Sequence, residues 1–397
     1  MNLIGLPPRE DDRKAVDYRK CTFFKILYTE NETGGKVSMA RGVFVIVTLS
    51  IMATCCLVSV TRSQTAEQLL DNLKGMHLEV MVLMVAINEC VSRKRMRRFM
   101  SYVERFRANP RYDLPGEEAI LVQARSNAIR DITFLVIIFG ANFPLMMLTK
   151  PVTEALGGGS WKQLPFPWTV LPDDEDTTFV AFLLLHTLGV FFSHCLGVVG
   201  MCFSTITTQI TALFDVLLLS IERIEERAAR KMKQLGLSYQ ESMLICLKES
   251  VAHHQELVQE VRSEKPHLES QFFSEIVNIS TIMACEAFPL VRPNLTISIA
   301  IKGLVFLVVQ VLCTAVLCDR MEIMADQNTE VFAALYNTPW YKCGVEYRRI
   351  LLNGMTFCRH PLTIRGKSFL GLIATRATFY TAMVNTFNLL SMIRKMG

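Results

Sequence analysis

Apolar residues in this chain come in seven long runs separated by charged stretches. The runs are Val43–Val60, Gly75–Val91, Ile132–Leu148, Phe179–Phe203, Phe272–Leu290, Ile297–Leu317 and Phe369–Ile393. At ~1.5 Å of rise per residue, each helix would be about as long as a bilayer core is thick. Glu79 interrupts the second run and Glu286 the fifth. Two of the polar stretches between runs keep helical periodicity. In 217–271, Ile221, Ile224, Ala228, Met232, Leu244, Leu247 and Val251 recur among alternating charges. From Asp326, Val331, Ala334, Leu335, Val345, Ile350 and Leu351 do the same, punctuated by Pro339 and Pro361. Lys342, Glu346, Arg348 and Arg349 are too many charges for lipid, so this second stretch predicts a helix beneath the membrane. Neither stretch is stable with its apolar face open, so both are expected to pack on each other and on partners. The tail stretch would hold the base of the last run. By contrast, GGGSWKQLPFPWTVLPDDEDT within 151–178 is too rich in Gly and Pro for a long helix, and the acids Asp173–Asp176 keep it in water.

The pattern predicts an all-α membrane protein with seven transmembrane helices. Its composition agrees, since 51% of the 397 residues are hydrophobic, more than a soluble chain carries. The first 40 residues are charged, which predicts no cleavable signal peptide and a first run that acts as its own anchor. Lysine and arginine set the orientation. Segments 1–42, 92–131, 204–271 and 318–368 carry 33 of them, whereas 61–74, 149–178, 291–296 and 394–397 carry 7. The run Arg93, Lys94, Arg95, Arg97, Arg98 abuts the second apolar run, where the positive-inside rule has most force. The N-terminus is therefore expected in the cytoplasm and the C-terminus outside, the reverse of a G-protein-coupled receptor. The expected layout is a cytoplasmic segment 1–42, helices one to four in 43–203 with an extracellular loop 149–178, and a cytoplasmic helical extension 204–271. Helices five and six in 272–317, a cytoplasmic anchor helix in 318–368 and a last helix in 369–393 follow. None of the twelve cysteines falls in an outside segment, which predicts free thiols. Asn294-Leu295-Thr296 is a glycosylation sequon on a short outside loop.

Catalytic chemistry is not indicated. His253-His254 with Glu256 lacks the spacing of a helical zinc site. No phosphate loop, nucleophile elbow or dinucleotide fingerprint occurs, no cofactor is implied and no nucleic-acid partner is expected. Glu79, Glu286, Lys302 and Arg376 lie within apolar runs and should face protein or water. RKRMRRFM (Arg93–Met100), continued by Tyr102, Val103 and Phe106, has the look of an amphipathic calmodulin or anionic-lipid site. Its simpler role is to set topology at a membrane edge.

One ordered set of motifs carries a resemblance. LPFPW (Leu164–Trp168) lies in an outside loop, followed by ALYNTPWY (Ala334–Tyr341), RRILL (Arg348–Leu352), HPLTIRGKSF (His360–Phe369) and a terminal FNLL (Phe387–Leu390). With the seven-span layout, this resembles the insect odorant receptors, most closely over the last 70 or so residues. The resemblance implies an odorant-binding subunit of a ligand-gated, non-selective cation channel in the plasma membrane of olfactory neuron dendrites. Four subunits would surround one pore, joined through the cytoplasmic helices and lined by the last span. Gustatory relatives carry Gln-Phe where Met392-Ile393 stand here, and the coreceptor has a large insert between spans four and five that this chain lacks. The resemblance thus implies a tuning subunit that pairs with the coreceptor. A self-sufficient gustatory-type channel and a metabotropic seven-helix receptor are the alternatives.

The same resemblance places an odorant pocket among the outer halves of spans two, three, four and six. Those hold Met76, Ile138, Asn142, Phe143, Met146, Phe182, His186, Val190, Ile301 and Phe306. Apolar walls with flexible methionines and few polar anchors suit a volatile apolar ligand. Asn142 and His186 would bond either a ligand hydroxyl or carbonyl, or each other's helices. In the last span, Thr378, Thr381, Ala382, Asn385 and Asn388 suit either a wet pore wall or close helix packing. Leu389 falls at the family's hydrophobic gate position, with Met392 one turn outward. Trp340 and Tyr341 are the expected aromatic anchors of the subunit contact.

Overall fold

A computed structural model describes scattered helical positions between 46 and 106, then 110–131, 133, 134, 137, 204–290, 297–360, 362–366 and 372–396. The first continuous helix among these is α1 (117–131). It is followed by α2 (Ser204–Glu222), α3 (Ile224–Leu235), α4 (Tyr239–Leu290), α5 (Ile297–Tyr336), α6 (Val345–Cys358) and α7 (Arg376–Met396). The described residues form no β-strand beyond one isolated antiparallel bridge between Arg365 and Ile373.

Two helices are too long for a bilayer. α4 has 52 residues and α5 has 40. At ~1.5 Å per residue they run about 78 and 60 Å, roughly twice and more the thickness of the hydrocarbon core. Each therefore continues well outside any membrane it enters. α4 passes unbroken through 271–272 and α5 through 317–318, where the polarity of the sequence changes. Pro266 sits inside α4 and removes only the amide that would bond the Arg262 carbonyl.

Burial follows the same division. On the upper half of α5, Leu304, Val308 and Leu312 recur at one-turn spacing and are exposed. Val47 and Ile51 do the same near the N-terminus. Such stripes suit a lipid surface. The polar halves of the helices instead share a closed core. α4 is its hub and packs against α3, α5, α6 and α7. Phe214, Phe272, Tyr347, Ile206, Ile210 and Leu217 are fully buried there. α2 is apolar enough to cross a membrane by length and composition, yet it is mostly buried by the chain's own residues. It is a core helix of this bundle.

Local chemistry shapes the bundle. α3 opens on Glu225 and Glu226 and ends at Gly236, whose left-handed backbone (φ 66°) lets its N–H donate to the Met232 carbonyl. α6 comes unusually close to its neighbours at Gly354. A Cβ there would stand 3.1 Å from Val251 and 3.6 Å from Leu335. Tertiary ion pairs stitch the surface: Lys248 to Glu346 and Lys342 to Glu225. Asp131 at the end of α1 accepts from Arg320 of α5 at 2.6 Å and from the Ser204 hydroxyl of α2 at 3.3 Å.

Two expectations are modified. The tail beyond Asp326 is not one helix. α5 stops at Tyr336, a single 3₁₀ turn covers Trp340–Lys342, and α6 restarts at Val345. Pro339 has no N–H to donate and forces Thr338 out of helical geometry, and Gly344 is extended at the start of α6. The last helix begins at Arg376 rather than Phe369. Residues 364–366 and 372–374 are instead held as a short pair by Gly366 N–H to Leu372 O (2.8 Å) and Ala374 N–H to Ile364 O (2.9 Å). The described cysteines Cys246, Cys313, Cys318, Cys343 and Cys358 are free thiols.

The basic segment near Arg93 also finds its place. Phe99, Val103 and Phe106 are buried in the core, and Phe106 stacks on His253 at 5.1 Å. The apolar face that calmodulin or a lipid surface would need is taken up by the chain itself.

Candidate functional site

The best-defined functional element is α7 and its footing. Thr375 caps it, its hydroxyl accepting from the Thr378 N–H at 3.2 Å. The Thr378 hydroxyl donates back to the Ile373 carbonyl at 2.6 Å. Arg376, flagged in sequence as a charge in an apolar run, is paired. Its Nε donates to Asp319 at 2.8 Å, a terminal guanidinium nitrogen reaches the same carboxylate at 2.6 Å, and its backbone N–H donates to Glu322 at 2.6 Å. Both acids sit on α5 just below its apolar half. The foot of α7 is thereby tied to the helix that runs down into the bundle.

α7 packs against α4 and α5. Its uncovered side is informative. Ala377, Thr381, Asn385, Asn388 and Met392 are all exposed. At 3.6 residues per turn they fall within an arc of about 80°. A separate face carries Tyr380 and Phe387, 71% and 70% exposed. The chain's own helices therefore leave a small-polar stripe and an aromatic stripe of α7 unoccupied. Leu389 lies on the same helix, on the flank of the polar stripe; its side chain lies outside the described residues.

The odorant-pocket residues are placed unevenly. Met76 is helical and half-buried, and Ile301 and Phe306 lie on α5. Ile138, Asn142, Phe143, Met146, Phe182, His186 and Val190 lie outside the described residues.

Trp340 and Tyr341 stand together on the 3₁₀ turn, ring centroids 6.1 Å apart and edge to face. They are 36% and 66% exposed. Tyr336, Val345 and Leu352, on the helices either side of the turn, are exposed as well. Large apolar groups beneath a membrane protein are costly to leave in water.

Sequence reasoning missed the polar framework inside the bundle. Arg227 is buried, stacks over the Tyr112 ring at 4.2 Å, and donates to Ser250 Oγ at 2.8 Å and Glu249 at 2.8 Å. Arg111 makes a two-pronged pair with Glu256. His253 Nδ1 bonds the Tyr112 hydroxyl at 2.8 Å. His254 Nε2 donates to Asn328 Oδ1 at 2.7 Å, and Asn328 Nδ2 in turn donates to the His360 carbonyl at 2.6 Å. The adjacent histidines were visible in sequence, but their partners lie more than 70 positions away. Burial pushes the Cys358 thiol beside His254 up to about 12.

Burial, helped by the nearby Arg111 and Arg227 charges, holds the His253 imidazole down at about 3, from an ordinary 6.5. Its folded form stays neutral where the unfolded form takes a proton. The resulting stability is complete above about pH 6.5 and drains away as pH falls toward about 3, at roughly 1.4 kcal/mol per pH unit. Acidifying the purified protein from about pH 6.5 to pH 5 should cost about 2 kcal/mol through this group. The check is the unfolding temperature against pH. His253→Phe, which keeps the ring on Phe106, should show a shallower slope; equal slopes would sink the assignment.

The comparisons with known proteins fit this architecture. The family model for the 7tm Odorant receptor matches residues 65–373. The chain belongs to the odorant receptor family. Its fold is that of the insect olfactory receptor OR5 from Machilis hrabei, with a TM-score of 0.76 at 12% identity over 93% of this chain and 92% of that one. A second structure of that receptor, in complex with eugenol, superposes with a TM-score of 0.72 at 12% identity, covering 97% of this chain and 100% of that one. No curated protein matches. This odorant receptor is thus an all-α, multi-pass membrane receptor of olfaction, not an enzyme.

Proposed function

We propose that this odorant receptor is the tuning subunit of a heteromeric, ligand-gated cation channel in the plasma membrane, assembled with the odorant coreceptor. In it, 204–271 and 318–368 lie on the cytoplasmic side and α7 lines the pore. The observation that carries this reading is the uncovered side of α7. A helix with threonine and asparagine on one face is costly in lipid but suits a water-filled pore shared with neighbouring subunits. The exposed aromatics around Trp340 supply the second contact such neighbours need.

The ligand class is a small, largely apolar volatile. Met76, Ile138, Phe143, Met146, Phe182, Val190, Ile301 and Phe306 supply apolar surface, and Asn142 and His186 supply two polar anchors. The Machilis hrabei receptor solved with eugenol, an aromatic molecule with one polar end, fits the same description.

The test is electrophysiology in cells with and without the coreceptor. Odorant-evoked current is expected only with it; robust current from this chain alone would move the protein to the self-sufficient class. In the same cells Leu389→Asn should raise resting current or alter ion permeability while keeping the order of ligand preference, because a polar group favours wetting of a narrow apolar ring. His186→Ala and Asn142→Ala should reorder ligand preference and leave permeability alone. The opposite assignment of effects would overturn the division between pore and pocket.

A further inference from the structure

One cleft belongs to neither pore nor odorant pocket. It lies between α4 and the segment that follows α6, with a volume of about 440 Å³, within the usual range for a small-molecule site. Arg262 and Lys265, one turn apart on α4, form one wall. Thr356, His360 and Thr363 stand on the other, and Val258, Val261, Phe357, Leu362 and Ile364 give the cleft an apolar floor. Among the described residues, no acidic side chain lines it. Lys265 has one loose carboxylate neighbour, Glu269 at 3.7 Å. Arg262 is exposed and makes no ion pair among the described residues. Arg359 and Arg365 flank the cleft on the same connecting segment and are also exposed. Asn328 braces the far wall through the His360 carbonyl, so the opening is held by the fold.

Charge at this wall suits an anion with several phosphate oxygens: guanidinium and ammonium groups pair with phosphate, and the Thr363 hydroxyl donates to it, whereas that of Thr356 is spent on the Leu352 carbonyl at 2.8 Å. Position specifies its source. Lys265 and Arg262 precede Phe272, the expected start of span five, by 7 and 10 residues. Phe272 is itself buried in the bundle, so along a helix they lie at least ~10 and ~15 Å below the hydrocarbon. The polar layer of one leaflet is only about 5–8 Å deep, so simple lipid phosphates stop short of the cleft. An inositol ring phosphorylated away from the glycerol linkage extends below that layer.

We propose that the cleft binds the polyphosphorylated headgroup of an inner-leaflet phosphoinositide, so that the receptor's footing under the membrane responds to that lipid. The proposal rests on the reading that 204–271 lies beneath the inner leaflet.

The experiment titrates purified full-length receptor with short-chain phosphatidylinositol bisphosphate. Short-chain phosphatidylserine and soluble inositol trisphosphate serve as the other two arms. The bisphosphate lipid is expected to bind, with phosphatidylserine and the soluble headgroup at least tenfold weaker. Arg262→Gln with Lys265→Gln should weaken lipid binding at least tenfold, and Arg262→Lys should keep most of it. Thr356→Glu, at an exposed position, should abolish binding by placing a negative charge in the cleft, and it carries the test if the double variant does not fold. Unchanged affinity in the folded variants overturns the proposal. Equal binding of inositol trisphosphate overturns the lipid as source, and equal binding of phosphatidylserine overturns headgroup selectivity. A receptor that carries odorant current with the coreceptor yet binds no headgroup removes this inference and leaves the channel reading standing.

Discussion

Asp131→Ala is expected to be among the most damaging single changes in the bundle. The Asp131 carboxylate joins α1 to α5 through Arg320 and to α2 through Ser204. Side-chain exposure is 12% for Asp131 and 22% for Arg320. Removing one member of a buried pair leaves the other charged and desolvated, at a cost of about 3–5 kcal/mol. Residual solvent contact places this pair near the lower end, about 3 kcal/mol. Against a total stability of order 5–15 kcal/mol, that is enough to reduce the folded receptor in cells. Asp131→Asn keeps the shape and should cost less. The deciding variant is Asp131→Ala combined with Arg320→Met, which removes both charges and should recover much of the loss. The measurement is unfolding temperature and surface level across the three variants. If the double variant is no better than Asp131→Ala, the damage comes from packing and not from an orphaned charge.

The second large effect concerns assembly. Trp340→Ala should change the stability of a single chain less than assembly, because the residue is 36% exposed there, with its ring edge to face on Tyr341. In a subunit interface the same ring would be an anchor, and aromatic anchors cost about 2–4 kcal/mol on truncation. At ~1.4 kcal/mol per decade, that is roughly a 30- to 900-fold loss in association. The expected result is normal folding with loss of coreceptor co-purification and of surface delivery. Tyr341→Ala should act in the same direction. If both variants assemble and respond as the parent does, the aromatic turn is not the anchor.

Much of this protein was legible in one dimension. Span-length apolar runs point to an all-α membrane fold, because a continuous apolar run of that length satisfies its own backbone in lipid as a helix, whereas a barrel strand is shorter and alternates. The motifs from Ala334 to Leu390 pointed to the odorant receptors, since a family leaves ordered words in a chain. Of the small and polar residues read in the last span, Thr381, Asn385 and Asn388 are exposed on one face, whereas Thr378 and Ala382 are half-buried. What spacing could not supply was pairing. Arg376 read as a charge stranded near lipid, and only the fold shows Asp319 and Glu322 meeting it from another helix, 57 and 54 positions away. His253 and His254 read as a failed metal motif. In the bundle they point to different partners, Tyr112 and Asn328, and each is held neutral by burial. The apolar residues after the basic run read as an open surface, and packing closed them against α4. Even the break at Pro339 was in the sequence, but that α6 restarts and presses Gly354 onto Val251 was not. The physical reason is the same in each case. Hydropathy and helical period depend on neighbours along the chain, so a sequence carries them. Desolvation, ion pairing and close packing depend on neighbours in space, and only the folded bundle determines which those are.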